Sequence, residues 1–332
     1  MSVLAFPKKQ ILEQPDELAQ DLLELFSLTR QGHMEKWSYA DADRPEDPAG
    51  GTEIWNQITK YDGYYPTSMD VKAVRGALNV SGVQAILRSI VNIVELGPGS
   101  AQSISQKTLP FLVHAKQYTA VDISALHADQ AAGLVEQSLQ IKTSVRYEDY
   151  IHPNIAKEGR EKTGFVMWGI SIGNMEGKPG EAPLPRLIQN LSSLADCCND
   201  GDSLFLSIDT EHNQDALMRA YDVPLSSRKV LSILHNAKRR NLVYGNFTPE
   251  RWTHKPVWHA EVGQYAHYLI SGRDQDFILY GQRVKIPAGR AFNAINIYKF
   301  TPDTVLLAAK AAGFSRAFLT DDRPIALLVA TK

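Results

Sequence analysis

The chain has 332 residues, of which 44% are hydrophobic and 22% charged, and its formal net charge is −2. That length supports one large or two ordinary domains with a substantial core. The near-neutral balance removes the electrostatic case for nucleic acid or an anionic membrane as partner, and no apolar run is long enough to span a bilayer.

Residues 1–9 lack the basic-then-apolar order of a secretory signal. The only cysteines, Cys197 and Cys198, are neighbours, which suits neither a structural disulfide nor a metal set. A cytoplasmic compartment and no metal are therefore expected.

In chain order, residues 16–30 carry Leu18, Leu22, Leu25 and Phe26 at helical spacing between Pro15 and Gly32, predicting an amphipathic helix. A loop rich in Pro, Asp and Gly covers 41–51. A short helix resumes at 53–58, a turn dense in phenols runs from Tyr61 to Thr67, and a helix is expected over 69–89. Ile93-Val94-Glu95-Leu96-Gly97-Pro98-Gly99-Ser100 then reads as a buried parallel strand ending in a tight turn. A second strand, Tyr118 to Val121, finishes in Asp122. A helix is predicted over 124–138, strands at 142–146, 164–169 and 204–209, and a helix over 182–198. This alternation predicts a parallel, doubly wound α/β sheet.

From about residue 210 the rhythm changes. Helices near 213–222 and 226–239 precede alternating stretches at 257–271, 276–285 and 290–300, a pattern suited to antiparallel strands. We expect domain boundaries at 1–209, 210–298 (a smaller α+β lobe) and 299–332, where a helix at 302–312 and a terminal strand pair rejoin the main sheet.

Glycines at 97 and 99 allow positive φ and let a ligand approach bare backbone. Asp122 stands roughly twenty residues further on, the spacing of a carboxylate that grips ribose hydroxyls. The absence of the usual third glycine, replaced by Ser100, tilts the expectation from a dinucleotide toward S-adenosylmethionine. Glu95, Asp122 and Asp149 are three acidic strand ends, where ligands of a parallel sheet collect. Asp149-Tyr150 suits an adenine, with the alternative that each aspartate caps the next helix. A rival motif is Gly169-Ile170-Ser171-Ile172-Gly173, which matches the nucleophile elbow of serine hydrolases. The helix breakers from Asn174 to Gly180 argue against it, because an elbow passes at once into a helix.

Trp37-Ser38-Tyr39, Trp55-Asn56-Gln57-Ile58-Thr59, Tyr64-Tyr65-Pro66-Thr67, Glu95-Leu96-Gly97-x-Gly99, Ile172-Gly173-Asn174, Arg219-Ala220-Tyr221-Asp222 and Tyr298-Lys299-Phe300 occur in this order. In them the chain resembles, from about Lys36 to its end, the S-adenosylmethionine-dependent histidine Nα-methyltransferases of ergothioneine biosynthesis. Fungal tryptophan and dimethylallyltryptophan N-methyltransferases resemble it too.

The resemblance implies a class I, Rossmann-like methyltransferase sheet, with a smaller lobe closing over a small-molecule amino acid. It implies that Tyr39, Glu95, Gly97, Gly99, Asp122, Asp149 and Tyr150 attend the cofactor, Tyr39 near its methionine part. Gly169, Asn174, Tyr64 and Tyr221 would hold the amine and carboxylate, with Trp55 beside them. Tyr39, Asn174 and Tyr64 would orient the amine for attack, Tyr39 relaying its proton.

The sequence departs from the family where an acidic and a hydroxyl residue grip imidazole: those places hold Ile295 and Ile297. On the preceding strand an apolar residue gives way to His267, which could accept from an indole N–H or merely pack. A buried polar group without partners costs about 1–3 kcal/mol, so tryptophan or a derivative is the expected substrate, with tyrosine or phenylalanine next and histidine as the alternative. A monomer or weak oligomer is expected.

Overall fold

The computed structural model describes residues 16–39, 51–148, 161–320 and 324–332. Five strands come first: β1 (Asn92–Leu96), β2 (Gln117–Val121), β3 (Lys142–Arg146), β4 (Thr163–Met167) and β5 (Ser203–Asp209). Six follow in the lobe: β6 (Val243–Asn246), β7 (Trp252–His259), β8 (Gln264–Ser271), β9 (Gln275–Leu279), β10 (Gln282–Ile286) and β11 (Ala291–Tyr298). The chain closes with β12 (Arg316–Leu319) and β13 (Ile325–Thr331).

The main sheet has the order β12-β13-β5-β4-β1-β2-β3. Strands β1 to β5 pair in parallel, while β13 runs antiparallel to both β5 and β12. This is the class I methyltransferase sheet. Alternate residues of β1 enter two cores: Val94 and Leu96 face the helices Leu184–Asp196 and Pro302–Ala311, and Ile93 faces the helices Tyr65–Ala77, Ser81–Ser89 and Ala125–Leu139. Helices on both faces explain why these strands read as continuous apolar runs. No helix among the described residues is long and apolar enough to cross a membrane.

Two differences from expectation matter. The helix expected over 69–89 is two helices, Tyr65–Ala77 and Ser81–Ser89, because the chain turns at Asn79 and Val80. The first now starts within the phenol-rich turn, so Tyr65 is helical.

The N-terminal helix Glu17–Ser27, capped by Asp16, belongs to the lobe rather than the methyltransferase sheet. Leu18, Leu22 and Leu25 share one core with Val230, Ile233, Phe277 and Phe292. The lobe is therefore assembled from two distant stretches around two three-stranded sheets, β10-β9-β6 and β11-β8-β7.

In the second of these sheets the register aligns Ile295 with His267 and Ile297 with Tyr265, while Trp258 pairs with Tyr265 on the other side. Residues directly opposite share a face, so these five side chains line one surface.

Candidate active site

At the carboxyl end of β1, Gly97 and Gly99 both adopt φ of +70°. Gly97 N donates to Val121 O at 2.8 Å, which ties the turn to β2. A Cβ at Gly99 would meet nothing within 4 Å, so its backbone opens onto space that a ligand can enter. Ser100 caps the helix that follows. Asp122 is 7% exposed at the end of β2 and accepts from Ser124 N at 2.9 Å; burial raises its carboxyl above the usual range. A carboxylate beside bare glycine backbone fits a ribose-bearing cofactor.

Glu95 is different. It is fully buried, and its two oxygens accept from Thr108 Oγ1 at 2.7 Å and Tyr118 Oη at 2.6 Å. Burial pushes it up to about 7 against those hydrogen bonds. Both its oxygens are thus engaged within the protein, at the end of β1 just ahead of the glycine turn. Asp149 and Tyr150 lie outside the described residues.

The loop after β4 is held by a residue that sequence reasoning missed. Asp70, on the helix Tyr65–Ala77, is 2% exposed. Its Oδ2 accepts from Lys107 Nζ at 2.5 Å and from Gly169 N at 2.9 Å, and Ser207 Oγ donates to its Oδ1. Lys107 lies in a π-turn, Ile104–Thr108, inside the helix that follows the glycines, so one carboxylate joins three segments.

Gly169 and Ile170 are both left-handed, with φ of +74° and +57°. For a β-branched residue this costs about 1–3 kcal/mol. Such strain is concentrated where a loop must present backbone to a ligand. Gly173 admits no side chain, since a Cβ would lie 2.7 Å from Tyr298 O. That close approach fixes the turn just before Asn174 against the end of β11.

Ser171 opens a three-residue 3-10 turn and its Oγ donates to Trp168 O at 3.2 Å. The next helix starts only at Leu184, so the supporting helix of a nucleophile elbow is missing.

Most of the remaining predicted residues form a train of rings. Tyr39 meets Trp55 at 5.6 Å between centroids, Trp55 meets Tyr64 at 5.7 Å, and Tyr64 meets Tyr221 at 5.6 Å, each edge to face. Tyr221 continues to Tyr265 at 5.3 Å and His267 at 6.3 Å. Edge-to-face pairs of this kind contribute about 0.5–1.5 kcal/mol each beyond burial.

Buried cations lie at both ends. Lys229 Nζ sits 4.0 Å from the Tyr39 ring centre and 2.7 Å from Glu35 Oε1. Lys299, its side chain fully buried, donates to Asp209 at 2.5 Å and to Tyr221 Oη at 2.8 Å. Burial pulls Lys299 below its ordinary value while Asp209 opposes that shift. Tyr65 Oη donates to the same Asp209 oxygen at 2.7 Å. Burial raises the phenols of Tyr64 and Tyr221, which hydrogen-bond to each other, so both remain neutral.

The site thus draws on Glu35, Tyr65, Asp70, Asp209 and Lys229 as well as the predicted set. Of these, Tyr65, within the phenol-rich turn, and Asp209, as a strand end, carried a local signal.

Ile297 is partly buried and packs against the core that holds Tyr64, Tyr221 and Tyr265. Ile295 is 1% exposed and continues the same face into the lobe core. His267, 3% exposed, stands opposite Ile295 and is the polar group on this wall.

Two surface clefts, about 190 Å³ at Leu78, Leu87 and His114 and about 320 Å³ at Asn246, Asp276 and Pro287, include none of these residues. Convergent chemistry, not concavity, locates the site. Asp21, Glu24 and His33 bring possible metal ligands within 4.8 Å of one another. Arg30 and Lys36 lie 3.3 Å from Asp21, so the chain's own cations already answer that carboxylate.

Residues 20–330 match a family described as histidine-specific, SAM-dependent methyltransferases. A histidine N-alpha-methyltransferase of Mycobacterium tuberculosis is 26% identical over 280 residues, covering 80% of this chain and 81% of that protein. One from Mycolicibacterium smegmatis is 24% identical over 292 residues, covering 84% and 83%. Among solved structures, a 1,6-didemethyltoxoflavin-N1-methyltransferase of Burkholderia thailandensis aligns with a TM-score of 0.40 at 12% identity, over 85% of this chain and 87% of that one.

Proposed function

We propose, since the chain belongs to the family of histidine-specific, SAM-dependent methyltransferases, that it methylates the α-nitrogen of an amino acid with an aromatic side chain. Tryptophan or a substituted tryptophan is the first choice. The observation that carries this reading is the wall made by Ile297, Tyr265 and the edge-to-face train from Tyr39 to Tyr221. Such a surface suits a large flat ring. Histidine is the second reading, favoured by the activity of the relatives and by His267.

S-adenosylmethionine is the cofactor; when bound, it supplies a sulfonium methyl group for in-line transfer to a neutral amine. The turn at Gly97 and Gly99 would receive it against backbone, with Asp122 on its ribose and Asp149 and Tyr150 on its adenine. The chain's own task is then positioning and desolvation, which can lower a barrier by several kcal/mol.

Tyr221 accepts from Lys299, which orients its own proton toward Tyr64, and Tyr64 O–H is then free to point at a carboxylate. Gly169 and Asn174 would complete the grip on the amine and carboxylate, and Tyr39 would contact the amine and relay the proton it loses, its oxygen accepting that proton as its own O–H proton passes on to water. Trp55 would close over the substrate between Tyr39 and Tyr64.

The test is a panel of aromatic amino acids incubated with methyl-labelled S-adenosylmethionine. Label is expected in tryptophan ahead of tyrosine and phenylalanine. Turnover of histidine alone would overturn the first choice in favour of the second.

A further inference from the structure

Three polar side chains from three elements form a line that the mechanism does not use. Ser227 Oγ, on the helix Pro224–Arg239, is 2.9 Å from His254 Nδ1 on β7. His254 Nε2 is 2.9 Å from His267 Nδ1 on β8, the ring planes 15° from parallel and the centroids 5.1 Å apart, so the rings lie side by side. The far nitrogen, His267 Nε2, is buried without a hydrogen-bond partner among the described residues. It lies on the wall shared with Tyr221 and Tyr265.

We propose that Ser227, His254 and His267 form a relay that reads the polar edge of the substrate ring, with His267 Nε2 as its reading atom and a polarity that can be reversed. The inference rests on the amino-acid reading above.

Burial pulls His254 down to about 4 and His267 well below its ordinary value, with Lys229 and Lys299 adding like-charge repulsion at His267. Both rings are therefore neutral and each carries one N–H. Two arrangements satisfy both internal contacts. In one, Ser227 donates to His254, His254 donates to His267, and Nε2 presents an N–H. In the other every hydrogen bond is reversed: His267 donates to His254, His254 donates to Ser227, and Nε2 presents a lone pair. The serine hydroxyl rotates to serve either arrangement. An indole N–H or a phenol donor selects the lone pair, and a bare ring nitrogen selects the N–H. A ring with neither leaves a buried nitrogen unmet, so the relay penalises purely hydrocarbon or sulfur rings.

The test compares kcat/KM for tryptophan and for benzothienylalanine, which replaces the indole N–H by sulfur at nearly constant shape. Wild type is expected to favour tryptophan about tenfold. His267→Phe should bring the ratio close to one and Ser227→Ala to an intermediate value, with binding of S-adenosylmethionine by calorimetry retained. Long-range proton–nitrogen NMR of wild type should show His267 Nε2 unprotonated with tryptophan bound.

An unchanged ratio in His267→Phe, with cofactor still bound, overturns the relay alone. Should that variant fail to fold, a protonated Nε2 in the tryptophan complex overturns it. Cofactor binding with no turnover of any aromatic amino acid overturns the underlying reading and the relay with it. If histidine proves the substrate, thienylalanine replaces benzothienylalanine and histidine replaces tryptophan, with the same ratio outcomes.

Discussion

Glu95 and Asp122 both end apolar strands in a carboxyl group, yet they do unlike things. The two-residue period of β1 turns Val94 and Leu96 to one core and Ile93 with Glu95 to the other, where Tyr118 and Thr108 wait. Nothing local in the sequence marks that direction. The pKa of Glu95 in the fold, about 7, lies above the ordinary 4.5. Between those values the folded chain binds a proton that the unfolded chain has released. Its contribution is full below 4.5 and is lost as pH rises through about 7. Wild type should therefore lose stability relative to Glu95→Gln as pH rises from 4.5 to 8, read from urea midpoints. Asp122, by contrast, follows β2, whose last residue accepts a hydrogen bond from the glycine turn. Asp122→Ala should weaken S-adenosylmethionine binding about ten- to a hundredfold in calorimetry, the range for a lost hydrogen bond to a charged group.

At the scale of elements, the helix Tyr65–Ala77 carries the organisation. It sends Tyr65 to Asp209 and Asp70 to Lys107 and Gly169, joining the ends of β4 and β5 to the helix after the glycines. The π-turn at Ile104–Thr108 is what brings Lys107 round to it. Phenol-rich turn chemistry was visible in the sequence. The helix starting inside that turn was not, because Pro66 in its first turn suits a helix start as well as a loop. Removing the charge of Asp70 strands a buried ammonium. Asp70→Asn is expected to cost about 3–5 kcal/mol in chemical unfolding.

At the scale of the molecule, the lobe that carries the proposed substrate wall depends on a helix from the far end of the chain. Leu18, Leu22 and Leu25 bury themselves against the helix Pro224–Arg239 and the lobe strands. Leu22→Ala should cost about 2–5 kcal/mol of stability. It should also raise the KM for the amino acid while affinity for the cofactor is retained, since the glycine turn belongs to the other core. Urea unfolding and paired kinetic and calorimetric measurements check both expectations.

The order of elements, the glycine turn with its distant aspartate, and the family pieces from Trp37 to Phe300 were all readable in the chain. Each is written in periodicity, turn residues or short local patterns that neighbouring residues impose on one another. The direction of Glu95, the hub at Asp70, the lobe's use of the N-terminal helix and the alignment of Ser227, His254 and His267 were decided only in three dimensions. In each, residues remote along the chain meet because packing brings their elements together, and sequence spacing carries no record of those distances.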